Sequence, residues 1–418
     1  MTKLSQLLLS NSRSSFPWIA LAAVAALCLL PLQLASAQTF TVIHAFTGGQ
    51  DGGRPYTGAV DAAGNFYGTS GAGGAHRAGT VFKMSQKNGN WVLSTLYAFT
   101  GGSDGEEPQY GVVFGTDGNL YGTTAAGGSA GDGTVFKLQP SPTICRSILC
   151  PWDVTVVHSF VGGADGADPS SGLTFDSAGN FYGTTQNGGA GEYCGADCGI
   201  VYKVAPANGG WNETILYAFN GGPDGENPSG GVVMNTAGDF FGTCINCLPH
   251  GTVYELTPNG SGYSKSTIYE FTNGLYYANG LIIDASGTLY GTTSFGGSGG
   301  GGAVYDLVPQ GSNWFFNVLS YLTNRNPDDY GPLAPLTMDA AGNLYGTSYS
   351  GGQYGAGSVF KLTPAGGGWN YTDLYDFTGD LDGGGPTSPV VLDSQGNIYG
   401  TTYYYGFYNE GVAFMITQ

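Results

Sequence analysis

The stretch Asp61-Ala62-Ala63-Gly64-Asn65-Phe66-Tyr67-Gly68-Thr69 decides the fold, because it occurs seven times. It returns as Gly118-Asn119-Leu120-Tyr121-Gly122-Thr123 and Gly179-Asn180-Phe181-Tyr182-Gly183-Thr184, and further copies start at Gly238, Gly287, Gly342 and Gly396. An Asp, a turn tipped by Gly and an aromatic-Tyr-Gly-Thr run read as a β-hairpin, since the chain reverses where Gly takes positive φ at little cost. The marker glycines lie 49 to 61 residues apart, the period of a unit that covers its faces against copies of itself.

Working outward, each copy reads as four strands. A short first strand ends in the Asp, as in Gly172–Asp176, and the aromatic-Tyr-Gly-Thr run is the second. Gly79–Met84 and its equivalents, through Gly411–Ile416, are the third; Trp91–Phe99, Trp152–Phe160, Trp211–Phe219 and Trp369–Phe377 are the fourth. Thr95–Phe99 has no polar face to offer water, as expected of sheets covered on both sides. The Gly after each Tyr is expected to let adjacent blades approach closely. The seventh copy ends after its third strand, whereas Thr39–Phe46 is a fourth strand with no first three before it. Pairing the two closes a ring and removes both open edges. The sequence therefore predicts an all-β, seven-bladed propeller of four-stranded antiparallel blades over 38–418, its last blade completed by the N-terminal strand.

The markers Asp-x-x-Gly-Asn-(Leu/Phe)-Tyr-Gly-Thr, Gly-Thr-Val-Phe-Lys-Leu and Phe-Thr-Gly-Gly-x-Asp-Gly resemble the Gloeo-Verruco (GloVer) tandem repeat over nearly all of 39–418. The resemblance implies an exported repeat protein and no particular activity. Members often carry a C-terminal surface anchor, and this sequence departs from that pattern by ending on a third-strand motif. The hairpin is also similar to that of NHL-type propellers, which transfers a fold and not a function.

Ahead of the repeats, Lys3 and Arg13 precede an apolar run from Phe16 to Leu32, and Ala35-Ser36-Ala37 offers small residues for cleavage. Residues 1–37 thus read as a secretory signal peptide; an uncleaved anchor is the alternative. Cys28 lies within the run and no Cys follows the cleavage site, so a lipoprotein is not expected. Cleavage removes two cations and no acid, taking the net charge from −18 to −20. Such a surface repels nucleic acid and anionic lipid. Periplasmic or extracellular residence follows, with no membrane contact after cleavage and a monomer expected.

Six cysteines then remain, in three close pairs: Cys145 with Cys150, Cys194 with Cys198, and Cys244 with Cys247. In an exported protein these predict three local disulfides. The rival reading places zinc between Cys194, Cys198, Cys244 and Cys247 with His250 nearby. Covalent haem is disfavoured, since Leu248 follows the last pair.

Two loop types, second-to-third strand and blade-to-blade, are expected on one rim. The blade-to-blade loops carry Asp51, Asp104, Asp165, Asp224 and Asp382, each followed by Gly. Each Asp is expected to cap its own turn; calcium binding by a partial ring of them and catalytic carboxylates are the alternatives. Copy five breaks the pattern at Asn273-Gly274 and copy six has Asp328-Asp329. His44 and His158 stand where other copies have Tyr97, Tyr217 and Tyr375 and are expected to pack as aromatic substitutes. No nucleophile motif or redox fingerprint is visible, and the Gly-rich loops are not followed by the helix a phosphate site needs.

Aromatics also gather in the rim loops: Tyr276, Tyr277, Phe295, Tyr354, Tyr403, Tyr404, Tyr405, Phe407 and Tyr408. Exposed Tyr suits sugars or protein partners. The sequence is therefore read as a non-enzymatic binding or scaffold protein without an obligatory cofactor, with Tyr403 and Tyr404 in the ligand face. A polysaccharide hydrolase or lyase and a structural surface protein are the alternatives.

Overall fold

The computed structural model describes residues 38–418 apart from 142–151, 170, 190, 192, 196, 246, 248–249, 261, 273 and 325–328. The expected signal peptide lies outside the described residues, as do Asn273 and Asp328. Cys145 and Cys150 lie outside them too, so the disulfide expected between Cys145 and Cys150 remains an expectation from sequence. Seven antiparallel sheets follow one another along the chain. The first is Gly53–Val60, Phe66–Ala72, Thr80–Lys87 and Asn90–Ala98, each strand paired with the next in sequence. The seventh is Val391–Leu392, Ile398–Thr402 and Val412–Thr417, with Thr39–Ala45 as its fourth strand. The closing register runs from Thr39 opposite Thr417 to Ala45 opposite Val412. The ring is closed as the sequence predicts.

The hairpin motif explains its own composition. Asp61 Oδ1 accepts the N–H groups of Ala63 and Asn65, both at 2.9 Å. Its Oδ2 accepts Asn65 Nδ2 at 2.7 Å and the Tyr67 hydroxyl at 3.0 Å. Gly64 sits at the tip with φ 76°, a conformation costly for a side chain. The same Tyr-to-Asp bond forms at Tyr121, Tyr182, Tyr290, Tyr345 and Tyr399. Blade four changes the set together: Asn235 replaces the Asp, Asp239 replaces the Asn, and Phe241, with no hydroxyl to donate, replaces the Tyr.

Seams between blades are as regular. In six of the seven seams a Phe that ends the outer strand meets the third-strand aromatic of the next blade, and in the seam between blades five and six Leu322 takes its place beside Phe360. Centroid distances are 5.1 Å for Phe46–Phe82 and Phe99–Phe136, and 5.2 Å for Phe160–Tyr202, Phe219–Tyr254 and Phe271–Tyr305. Phe377–Phe414 stands at 5.3 Å. Both seams of the blade assembled from the two chain ends, Phe377–Phe414 and Phe46–Phe82, therefore match the others.

Three details differ from expectation. The Gly after each Tyr makes room within its own blade, not between blades: a β-carbon on Gly68 would lie 2.5 Å from Phe82 Cζ, and on Gly400 2.3 Å from Phe414 Cζ. Gly68 is the cross-strand partner of Phe82, so the ring lies over the glycine and covers it. Each outer strand carries a β-bulge, at Ile43 and Leu96 for example, which adds local twist. Finally, blade five holds a fifth strand, Leu275–Ala278, paired with Leu289–Gly296. The sequence leading into it has Asn273-Gly274 where five other copies have Asp-Gly.

Candidate functional site

The two loop types do share one rim, and they bond to each other: Glu106 bridges Ala126, Ala167 bridges Asn187, Asn324 bridges Gly351 and Gly384 bridges Tyr404. Within this rim each of the five aspartates is tied to its own turn. Asp51 accepts the Thr47 N–H at 3.1 Å, and Asp104, Asp165, Asp224 and Asp382 accept the N–H four residues back at 2.8 to 2.9 Å. Each also takes a bond from the side chain seven residues back. Tyr97, Tyr217 and Tyr375 donate hydroxyls at 2.9, 2.7 and 2.9 Å. His44 and His158 approach with Nε2 at 2.9 and 3.3 Å, so these histidines replace Tyr in bonding as well as in packing. The Thr47 and Thr100 hydroxyls bond the far oxygens of Asp51 and Asp104.

Burial works to raise the Asp51 and Asp104 pKa values, but these hydrogen bonds outweigh it and hold both below the usual carboxylate range. The five carboxylates stand at the outer-strand end of the blades, and none is among the residues that line the central channel.

Of the three disulfides expected, the described residues hold two. Cys194–Cys198 and Cys244–Cys247 are bonded, each with Cα atoms 5.6 Å apart, in equivalent loops of blades three and four. The third, Cys145 with Cys150, falls in the segment 142–151, outside the described residues. Although Glu226 lies beside Cys194 and Cys198, bonded sulfurs are not thiolate ligands, so the four-cysteine zinc reading is overturned. The His250 ring instead packs edge-on against Tyr276, 4.4 Å between centroids.

On the rim face all seven blades contribute to the channel mouth, a cavity of about 340 Å³. Its polar groups are hydroxyls and amides: Thr57, Gln109, Tyr110, Gln186, Ser229 and Asn279, with Thr387 and Ser388. Glycines, Tyr56, Val113, Ile245, Leu333, Pro335 and Pro389 supply the rest of the wall. Among the described lining residues there is no Asp, Glu, His, Cys, Lys or Arg. Burial raises Tyr110 to about 12, and burial with the neighbouring Tyr403 raises Tyr56 further, so both phenols are neutral. The donor set carries no anionic oxygen or imidazole, and does not fit a metal centre of the kind that needs either.

An arc of aromatic rings runs across blades five, six, seven and one and reaches this mouth at Tyr56. Tyr277 meets Phe295 at 5.6 Å, Phe295 meets Tyr330 at 4.3 Å, and Tyr330 meets Tyr349 at 6.4 Å. On the other side of Gly385, which Tyr349 and Tyr404 flank, Tyr404 meets Tyr403 at 4.6 Å and Tyr403 meets Tyr56 at 5.9 Å. Arg54 stacks over Tyr403, 5.6 Å from its centroid. Tyr277, Tyr330 and Tyr404 remain 41, 48 and 39% exposed, so the rings support one another and still offer surface. The structure thus brings Tyr403 and Tyr404 together with Tyr56, Tyr330 and Tyr349, which sequence reasoning missed. Tyr56 lies early in a first strand, Tyr330 ahead of one and Tyr349 just after a second strand, where the copies differ.

The sequence profile of the Gloeobacter/Verrucomicrobia repeat matches residues 32–248 and 248–418. No curated protein sequence matches the chain. Among solved structures, a candidate 6-phosphogluconolactonase from Bacteroides fragilis superposes with TM-score 0.52 at 14% identity, covering 83% of this chain and 86% of that one. The extracellular domain of a candidate one-component system from B. thetaiotaomicron gives TM-score 0.52 at 9% identity, covering 90% of this chain and 39% of that one. At such identities the likeness shows the propeller fold alone.

Proposed function

The chain belongs to the Gloeobacter/Verrucomicrobia repeat family, and we propose that it is an exported, non-catalytic propeller that binds a neutral glycan at its rim face. The observation that carries this reading is the arc of rings from Tyr277 to Tyr56 beside an uncharged, hydroxyl- and amide-lined mouth. A sugar presents a flat C–H face and a fringe of neutral hydroxyls. Tyr rings match the first with rigid, amphipathic area, and Thr, Ser, Gln and Asn match the second with groups that both donate and accept. The net charge of −18 disfavours anionic ligands. Export is supported by the leader-like sequence of residues 1–37 and by the two disulfides.

The enzymatic alternative has less support. Glycoside hydrolysis uses two carboxyls across the scissile bond, and the described channel lining holds none. Nor does it hold a Lys, Arg or His for a phosphorylated substrate such as the name of the Bacteroides fragilis protein implies.

The test is affinity electrophoresis of residues 38–418 in gels carrying neutral polysaccharides, read beside the variants Tyr330→Ala, Tyr403→Ala and Tyr404→Ala. Retardation by at least one polysaccharide, weakened roughly tenfold or more by at least two variants, is expected; that loss equals about 1.4 kcal/mol. No retardation by any glycan, or retardation that all three variants keep, refutes the reading. Release of new reducing ends from a bound polysaccharide would make the protein an enzyme instead.

A further inference from the structure

Blade six breaks the repeat at one place that the rim face does not explain. Ser348, Ser358 and Asp376 stand opposite one another on three neighbouring strands, Ser348 paired with Ser358 and Ser358 with Asp376. The same row in blade one is Ser70, Thr80 and Ala98. There the two hydroxyls satisfy each other at 2.7 Å, and Ser70 also donates to Ala72 O at 3.1 Å. In blade six the third member is an acid and the first is left over: Ser348 is 3% exposed and its Oγ has no partner, nor does the buried Oδ1 of Asp376. A buried hydroxyl without a partner calls for an explanation, and here it stands beside a buried carboxylate oxygen that also has none.

A second acid faces the same place. Asp373, opposite Phe360 just before the strand's bulge, lies on the face of the sheet that carries Ser358 and Asp376. Its equivalents in blades one to five are Thr95, Val156, Ile215, Thr267 and Val318. The Tyr371 hydroxyl donates to Asp373 Oδ1 at 3.0 Å. Asp373 is exposed at the mouth of the cleft, and partial desolvation, then repulsion from Asp376, raise its pKa.

All five residues line a cavity of about 540 Å³ between blades five and six, whose far wall is Ser320–Thr323. Gly351 and Gly352 form its floor. A β-carbon on Gly352 would lie 2.4 Å from Asp376 Oδ1, and one on Gly351 2.5 Å from Ser348 Oγ and 3.4 Å from Ser358 Oγ. The glycines leave open the space these oxygens occupy. No described residue of the lining is a Lys, Arg or His.

We propose that this cleft binds a divalent cation, best matched by calcium, through the carboxylates of Asp373 and Asp376 and the hydroxyls of Ser348 and Ser358. Hard oxygen donors, two negative charges and room for retained water suit calcium over the softer transition metals. The rim aspartates have no part in the site, because their oxygens are bonded within their own turns. The site is also independent of the glycan reading, since none of its residues belongs to the aromatic arc.

Terbium luminescence excited through tyrosine tests it, because Tyr371 would stand beside the ion. On residues 38–418 treated with chelator, terbium should give a saturable signal that calcium displaces, with a calcium dissociation constant on the order of 10⁻⁴ to 10⁻³ M. Asp373→Asn and Asp376→Asn should each weaken binding at least tenfold, Ser348→Ala should weaken it severalfold, and Asp382→Asn should leave it unchanged. Circular dichroism establishes that each variant is folded; should both Asn variants unfold, the Ser348→Ala affinity decides alone. No displaceable signal in the wild type, unchanged affinity in a folded Asp376→Asn protein, or wild-type affinity in Ser348→Ala after both Asn variants fail would overturn the proposal.

Discussion

Replacing Phe46 by Ala tests ring closure by an internal comparison. Phe46 is 0% exposed, lies in one buried cluster with Phe66, Phe82, Met84 and Tyr399, and donates its N–H to Gly411 O at 3.1 Å. Phe99 is its counterpart one seam on, also 0% exposed and also 5.1 Å from the next blade's third-strand ring. Truncating a buried Phe removes its transfer free energy and leaves a cavity, together about 3–5 kcal/mol. If the segment after residue 38 is the outer strand of blade seven, Phe46→Ala and Phe99→Ala should both cost within that range, since each ring fills the same place in its seam, with Phe66 and Met84 beside one where Leu120 and Leu138 stand beside the other. Urea unfolding followed by near-ultraviolet circular dichroism supplies the numbers, with unchanged denaturant slopes as the condition for comparing midpoints. A Phe46→Ala cost under about 1 kcal/mol beside a Phe99→Ala cost of about 3–5 kcal/mol would show that the first strand does not hold the ring.

Two other consequences are open to measurement. In blade four, Phe241→Tyr alone adds a hydroxyl with no carboxylate to receive it and should cost about 1 kcal/mol. The triple change Asn235→Asp, Asp239→Asn, Phe241→Tyr, which restores the set of the other blades, should be neutral; equal costs for the single and the triple change would refute the coupling. The hairpin carboxyls of Asp61, Asp176, Asp284 and Asp339, with Asp51 and Asp104 on the rim, bear on acid stability. Burial pushes against ionisation, yet the four hairpin carboxyls are lowered by the hydrogen bonds they accept. Such a depressed carboxyl contributes stability that is full above its unfolded value of about 3.9 and is lost as pH falls through its folded value. Through these groups the melting temperature should fall steeply below about pH 4; a flat profile from there down to about pH 2 would contradict the assigned hydrogen bonds.

The repeat was legible because each marker residue has a local task. Asp61 takes four hydrogen bonds from its own hairpin, Gly64 supplies positive φ, and Gly68 lies under Phe82. Tasks confined to a dozen residues leave the same letters in every copy. The direction of the glycine contact was misread because spacing alone does not say which ring crosses it, whereas the Gly68–Phe82 register does. The bulges left no signature either, since the extra residue is an ordinary Ile, Leu or Val, as at Ile43 and Leu96. The rim aspartates were visible for the same reason as the hairpins: a motif repeated in five of the seven turns serves the turn.

What distinguishes one blade from another is carried where the repeat fails. Tyr330 and Tyr349 flank a blade-to-blade loop that has lost its Asp-Gly closure, and the extended strand holding Tyr277 follows the Asn273-Gly274 of copy five. Asp376 stands where blade one has Ala98 and blade three has Ala218. Most of the residues of the arc and the cleft lie on blades five to seven. A propeller needs its seams to be equal, so selection for closure fixes the outer-strand Phe and the third-strand ring and leaves loops and row ends free to change. An asymmetric ligand requires unequal blades. The aromatic arc and the acidic cleft both occupy positions that closure does not constrain, which is why neither could be found by asking what the seven copies share.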